Sequence, residues 1–72
     1  MKIVVVEWAD STTSTGWEND PDLELCICET VGYLAKKTRE KVVLIQSISD
    51  GNNVDNKFAI PRGCIKSIKE LR

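Results

Sequence analysis

Val42-Val43-Leu44-Ile45-Gln46-Ser47-Ile48 leads through Ser49-Asp50-Gly51-Asn52-Asn53 into Val54-Asp55-Asn56-Lys57-Phe58-Ala59-Ile60. The first segment is dense in β-branched residues and apolar on both faces, with Val43 and Ile45 on one side and Val42, Leu44 and Ile48 on the other. That pattern reads as a central strand. Asp-Gly followed by two asparagines supplies residues that tolerate positive φ, the signature of a hairpin turn. The return segment alternates more weakly. Asp55, Asn56 and Lys57 make it look like an edge strand kept polar against uncontrolled pairing.

Upstream of the hairpin, Lys36-Lys37-Thr38-Arg39-Glu40-Lys41 is a charged turn. Before it, alternation runs from Leu23 to Ala35. Leu23, Leu25, Ile27, Val31, Tyr33 and Ala35 share one phase, and Cys26, Cys28 and Leu34 share the other. Gly32 within this run marks a bend or bulge where a long strand curls between two sheet halves. Residues 10–22, rich in Ser, Thr, Asp and Asn, satisfy their own backbone locally and read as a long loop. Lys2 to Trp8 is the first strand, with Val4, Val6 and Trp8 in phase and Trp8 expected in the core.

Downstream, Pro61 lacks a ladder donor and closes the fourth strand. Ile65, Ile68 and Leu71 recur every three residues, which a short C-terminal helix would explain. A single tight turn followed by a fifth strand explains Ile65 equally well. It is the reading preferred, because Gly63 would weaken a first helical turn. The expected fold is therefore all-β: one domain over 1–72, a small five-stranded open β-barrel with a one-turn helix after Pro61.

Phe58-Ala59-Ile60-Pro61, with Ile65 four positions after the proline, resembles the tail of small open barrels of the Src-homology-three type. The resemblance implies a one-turn helix between the fourth and fifth strands, with residues 9–22 in place of that fold's long specificity loop. The alanine-leucine-tyrosine motif and the tryptophan pair of that family are missing, so its proline-ligand groove does not carry over. A second resemblance runs from end to end. Trp8-Ala9-Asp10, Gly16-Trp17, Val31-Gly32-Tyr33-Leu34, Val42-Val43-Leu44-Ile45-Gln46-Ser47 and Ile60-Pro61-Arg62 are similar to segments of small bacteriophage and prophage proteins. It implies a phage or prophage origin and no particular activity.

Composition narrows the functional classes. With 42% apolar and 29% charged residues the chain is ordinary for a folded domain rather than a disordered one. At 72 residues it buries only roughly 60–65% of its unfolded surface, so its core is thin and self-association is a common remedy. The longest early apolar run, Ile3 to Val6, is too short for a signal peptide or a membrane span, so a cytoplasmic protein is expected. Three cysteines fit reduced thiols.

Net charge is −1, but residues 1–30 carry one base against seven acids and residues 31–72 nine bases against four acids. Scattered solvated charge is the ordinary explanation. A dipolar surface that pairs head to tail or steers a partner is the sharper one.

There is no histidine, hence neither the commonest general base nor the commonest zinc ligand. The four glycines form no phosphate loop. No enzyme, cofactor or small-molecule substrate is expected. Cys26 and Cys28 on one strand face, with Cys64, could meet at a metal. Zinc more often uses a Cys-x-x-Cys turn, so the thiols are read as ordinary strand side chains and no metal is expected.

Two binding surfaces stand as candidates. Trp17, with Glu18 and Asp20, forms one: the indole either folds back to cap the barrel, which is favoured, or stands out as an anchor for a protein partner. Lys36, Lys37, Arg39, Lys41 and Arg62, joined by Lys66, Lys69 and Arg72, form the other if they gather at one end. With Tyr33 or Trp17 as a stacking platform they would suit a nucleic acid. Ile60-Pro61-Arg62-Gly63 also resembles the Arg-Gly turn of Sm-like RNA-binding barrels. The expected role is a binding or assembly module working through protein contact, with a homo-oligomer suggested by the thin core and dipolar charge, and with nucleic-acid binding as the alternative.

Overall fold

The computed structural model describes all residues, 1–72. Five strands form one antiparallel sheet: β1 (Ile3–Asp10), β2 (Cys26–Lys37), β3 (Lys41–Ile48), β4 (Val54–Pro61) and β5 (Ile65–Glu70), with a single 3-10 turn, Arg62–Cys64, before β5. The order across the sheet is β4-β3-β2-β1-β5. The all-β, five-stranded open form expected from the sequence is present, and no closed barrel forms, since no ladder joins β4 to β5. No helix is long and apolar enough to cross a membrane.

Strand β2 organises the fold. Its first part pairs with β1 from Asp10↔Cys26 to Ile3↔Tyr33, and its last part pairs with β3 from Tyr33↔Ile45 to Lys37↔Val42. The change of partner falls beside Gly32. A Cβ there would lie 3.1 Å from the Ile45 carbonyl oxygen and 3.3 Å from Leu44 Cβ, so a larger residue would push the two strands apart by a few tenths of an ångström. Just past the last pair, Gln46 Nε2 donates to the Val31 carbonyl at 2.8 Å and joins the diverging ribbons. The bulge on this strand lies between Leu34 and Lys36 rather than at Gly32 itself.

Val4, Val6, Val42, Leu44 and Ile60 make the fully buried cluster, with Trp8, Leu34, Ile65 and Ile68 packed against it. Trp8 thus sits where its phase with Val4 and Val6 places it, and its Nε1 donates to Thr30 Oγ1 at 2.9 Å. β3 is central, and β4 is an edge. Asn56, at φ 56°, sits where the β3–β4 ladder skips a pair, so the polar edge is also kinked.

The tail resolves in favour of turn and strand over helix. The β1–β5 register runs Val6↔Ile68, Glu7↔Ser67, then Trp8↔Ile65, with a bulge at this step. One extra residue in β5 lets Ile65 and Ile68 face the same side, opposite two β1 residues that are themselves in phase. The three-residue repeat that looks helical is a strand carrying a bulge.

The bounds of β1 and β2 differ from those expected. β1 continues to Asp10, and β2 begins at Cys26 and ends at Lys37 rather than spanning Leu23 to Ala35. The inward phase of β2 is Cys28, Thr30, Gly32 and Leu34, so Leu23, Leu25, Ile27 and Val31 are exposed. Only seven residues are buried, and ten large apolar side chains are exposed. The radius of gyration is 15.4 Å, against roughly 11 Å for a compact chain of this length. The longest extent is 54 Å, and the other two are 21 and 20 Å.

Candidate functional site

The loop between β1 and β2 is held at its base and in its turns by its own polar residues. Ser11 N donates to Asp10 Oδ1, Thr12 Oγ1 donates to the Glu24 carbonyl at 2.7 Å, and Asp22 N donates to Asp20 Oδ1 at 3.0 Å. Ser14 Oγ bonds the Glu18 carboxylate. Gly16 takes φ 101°, a conformation that other residues rarely adopt, and it immediately precedes Trp17. Trp17 itself is 104% exposed. The expectation that it folds back to cap the barrel is overturned: the loop departs from the end of the β1–β2 ribbon, and the indole finds no apolar surface to cover. Glu18 and Asp20 stand exposed beside it.

At the end of β2 the bases Lys36, Lys37, Arg39 and Lys41 meet the 3-10 turn that carries Arg62, with Lys66 following in β5. Two backbone devices bring them there. Thr38 closes the β2–β3 turn, its N–H donating to the Lys41 carbonyl while its hydroxyl oxygen accepts from the N–H groups of Glu40 and Lys41. Arg62 N donates to the Glu40 carbonyl at 2.9 Å, which docks the 3-10 turn onto the same corner. Lys36, Arg39 and Lys41 then surround one shallow depression with Thr38 and Glu40. Lys37, Arg62 and Lys66 line a second one, of about 260 Å³, with Ile65, Ser67 and Ile68. Lys37 pairs with Val42, so it shares the inner-face register at the mouth of the sheet.

These charges are unpaired within the chain. The only ion pair is Lys2 to Glu70 at 2.6 Å, between two exposed side chains. The acids of the β1–β2 loop precede β2 in the chain and the turn bases Lys36, Lys37, Arg39 and Lys41 follow or end it. The loop is acidic and the corner basic despite the net charge of −1.

The thiols are arranged otherwise than a metal trio would be. Cys26 Sγ and Cys28 Sγ lie 3.8 Å apart on the same strand face, with Cys26 exposed and Cys28 half-buried. Desolvation, the hydrogen bond with Cys26, and the nearby Cys26 and Asp10 charges push the Cys28 pKa above its usual range. Cys64 belongs to the 3-10 turn leading into β5, across β1 from that pair. No group of three or more His, Cys, Asp or Glu side chains is placed to hold one ion.

Sequence reasoning found most of the basic corner and missed its apolar floor. Ile65 and Ile68 were visible as a period of three, and the bulge that turns both toward the hollow is what the pattern concealed. The chain matches no protein-family model, no curated protein and no solved structure.

Proposed function

We propose that this chain is a non-catalytic binding or assembly module that works by protein–protein contact through the Trp17 loop, in the cytoplasm and of the phage or prophage type. The observation that carries the reading is the fully exposed indole of Trp17 at a glycine-shaped turn, flanked by Glu18 and Asp20. Fully burying a large apolar side chain yields roughly 1.5–3 kcal/mol, and tryptophan is the residue most enriched at contact hot spots. An indole left in water by a chain with only seven buried residues has that stabilisation in reserve for a partner. The acids around it suit a basic rim. The three free cysteines fit a reducing compartment.

Nucleic-acid binding is the second reading, favoured by Lys36, Lys37, Arg39, Lys41, Arg62 and Lys66. It is the weaker one, because the bases line two depressions and neither contains an aromatic side chain on which a base could stack.

The test compares wild type with Trp17→Ala in two measurements. Chemical cross-linking in a lysate of the source cells should yield a defined adduct with wild type and lose it with the variant. Fluorescence anisotropy of labelled single- and double-stranded oligonucleotides, at low and moderate salt, should show no affinity that falls steeply with salt. Adducts indifferent to Trp17, together with salt-sensitive oligonucleotide binding, would overturn the reading and install the second.

A further inference from the structure

The β1–β2 loop and the hollow beside β5 are complementary to each other. The loop carries one exposed indole among Glu18, Asp20 and Asp22, with Asp10 and Glu24 at its base, and no base occurs between Lys2 and Lys36. The hollow beside β5 is lined by Lys37, Arg62 and Lys66, with Ile65 and Ile68 supplying its apolar surface. At about 260 Å³ it lies below the roughly 300–1,000 Å³ of sites that hold drug-sized ligands. It is suited to one large side chain. Lysine and arginine around an aromatic ring add cation–π attraction to its burial.

We propose that the hollow lined by Lys37, Arg62, Lys66, Ile65 and Ile68 receives the Trp17 loop of a second copy of this chain, head to tail. The inference rests on the reading of that loop as a protein-contact surface. The Trp17 indole stands fully exposed rather than in the hollow of its own chain, so the occupant is taken from a second copy. None of the bases or acids involved is neutralised within the chain, since the single ion pair joins Lys2 to Glu70. Each copy carries one plug and one socket, which makes the contact heterologous. Such contacts run on into open chains unless the rotation between copies closes a ring. A single loop in a single hollow buries little area, so the association is weak and depends on concentration and salt.

Sedimentation velocity of the full chain over a wide concentration range, at low and moderate salt, tests this. The average mass of wild type should climb past that of a dimer as concentration rises at low salt, with apparent affinity falling on the order of tenfold at moderate salt. Trp17→Ala removes the plug, and Lys37→Glu with Lys66→Glu removes the socket. All three side chains are exposed, and circular dichroism checks that both variants keep the wild-type fold. Each variant alone should stay monomeric. Mixed, they should form a one-to-one heterodimer and stop, because only one working plug and one working socket remain.

Assembly by Trp17→Ala as strong as wild type overturns the proposal and shifts the contact to the exposed sheet face. A mixture that stays monomeric overturns it as well, and so does a wild type monomeric at every concentration. If wild type is monomeric but Trp17→Ala still loses its adduct in lysate, the head-to-tail pairing is wrong while the protein-contact reading stands. If the adduct also persists, both fail.

Discussion

The rings of Trp8 and Phe58 lie with centroids 5.5 Å apart and planes tilted by 56°, although β1 and β4 are separated by two other strands. In a flat sheet that separation is roughly 14 Å, three times the usual strand spacing of about 4.8 Å. The sheet is therefore curled so that its first and fourth strands meet across the inner face, and this aromatic pair is the contact that records the curl. Phe58 pairs in register with Leu44, one of the fully buried residues.

Phe58 is 40% exposed and would pass for a surface residue, whose replacement usually changes stability by less than about 0.5 kcal/mol. Because it closes the curl against Trp8, Phe58→Ala should cost about 1–2 kcal/mol in urea denaturation. A double-mutant cycle with Trp8→Phe should show a coupling of about 0.5–1.5 kcal/mol. A cost under about 0.5 kcal/mol with no coupling would mean that the two rings do not meet in solution.

Gly32 gives a second stability prediction. Its α-hydrogen faces the Ile45 carbonyl oxygen, where a methyl group would sit at 3.1 Å, and the opposing group is backbone in a central strand. Gly32→Ala should destabilise by about 1–3 kcal/mol, the usual range for overpacking, and Gly32→Val by more. Thermal denaturation followed by far-ultraviolet circular dichroism would measure both. An alanine variant as stable as wild type would show that β2 and β3 can separate at no cost.

How much of this was legible in the sequence depends on how local the cause is. The β3–β4 hairpin was readable because apolar alternation and the Asp50-Gly51-Asn52-Asn53 turn are written in adjacent residues. Asn52 does adopt positive φ, at 64°. The basic corner was half readable. Lys36 to Lys41 are neighbours in sequence, whereas Arg62 and Lys66 reach them only through the bond from Arg62 N to the Glu40 carbonyl. Trp17 was misjudged because a large ring in a small protein is usually needed for burial. Whether any apolar surface lies within reach depends on where the loop points, and composition does not carry that.

The bulge in β5 makes a sharp contrast available at Lys66. Its side chain is exposed, so Lys66→Ala should change stability by less than about 0.5 kcal/mol. Deleting the residue removes the extra position that lets Ile65 and Ile68 face the same side. A one-residue shift turns every following side chain to the other face, so one of the two isoleucines must leave the core. The deletion should cost about 2 kcal/mol or more in chemical denaturation. A deletion as mild as the alanine variant would show that Ile65 and Ile68 are not both packed on the inner face.

Trp17→Ala should leave stability within about 0.5 kcal/mol of wild type, because the indole touches no core. It should also remove most of the tryptophan emission that acrylamide quenches readily. Trp8, half-buried and hydrogen-bonded to Thr30, should supply the protected remainder. If the variant loses stability, or if wild-type emission is uniformly protected, the loop is packed in solution and the contact surface assigned to it is wrong.

Cys28 gives a prediction in pH. Desolvation, the hydrogen bond with Cys26, and the charges of Cys26 and Asp10 all disfavour its thiolate, so its pKa is raised. At any pH near 8 a raised pKa means a smaller thiolate fraction, and the thiolate is the species that attacks an alkylating reagent. Cys28 should therefore alkylate more slowly than an ordinary exposed thiol, with its rate still climbing where an unperturbed thiol has levelled off. Cys26→Ser removes the sulfur partner and its charge, while the desolvation of Cys28 and the Asp10 carboxylate remain. Its alkylation profile should move toward lower pH without reaching that of a free thiol. Site-resolved mass spectrometry of iodoacetamide labelling across pH 7–10 measures the profile in both proteins. An unchanged profile in the variant would assign the shift to desolvation and Asp10, and a wild-type profile at the ordinary position would remove the shift altogether.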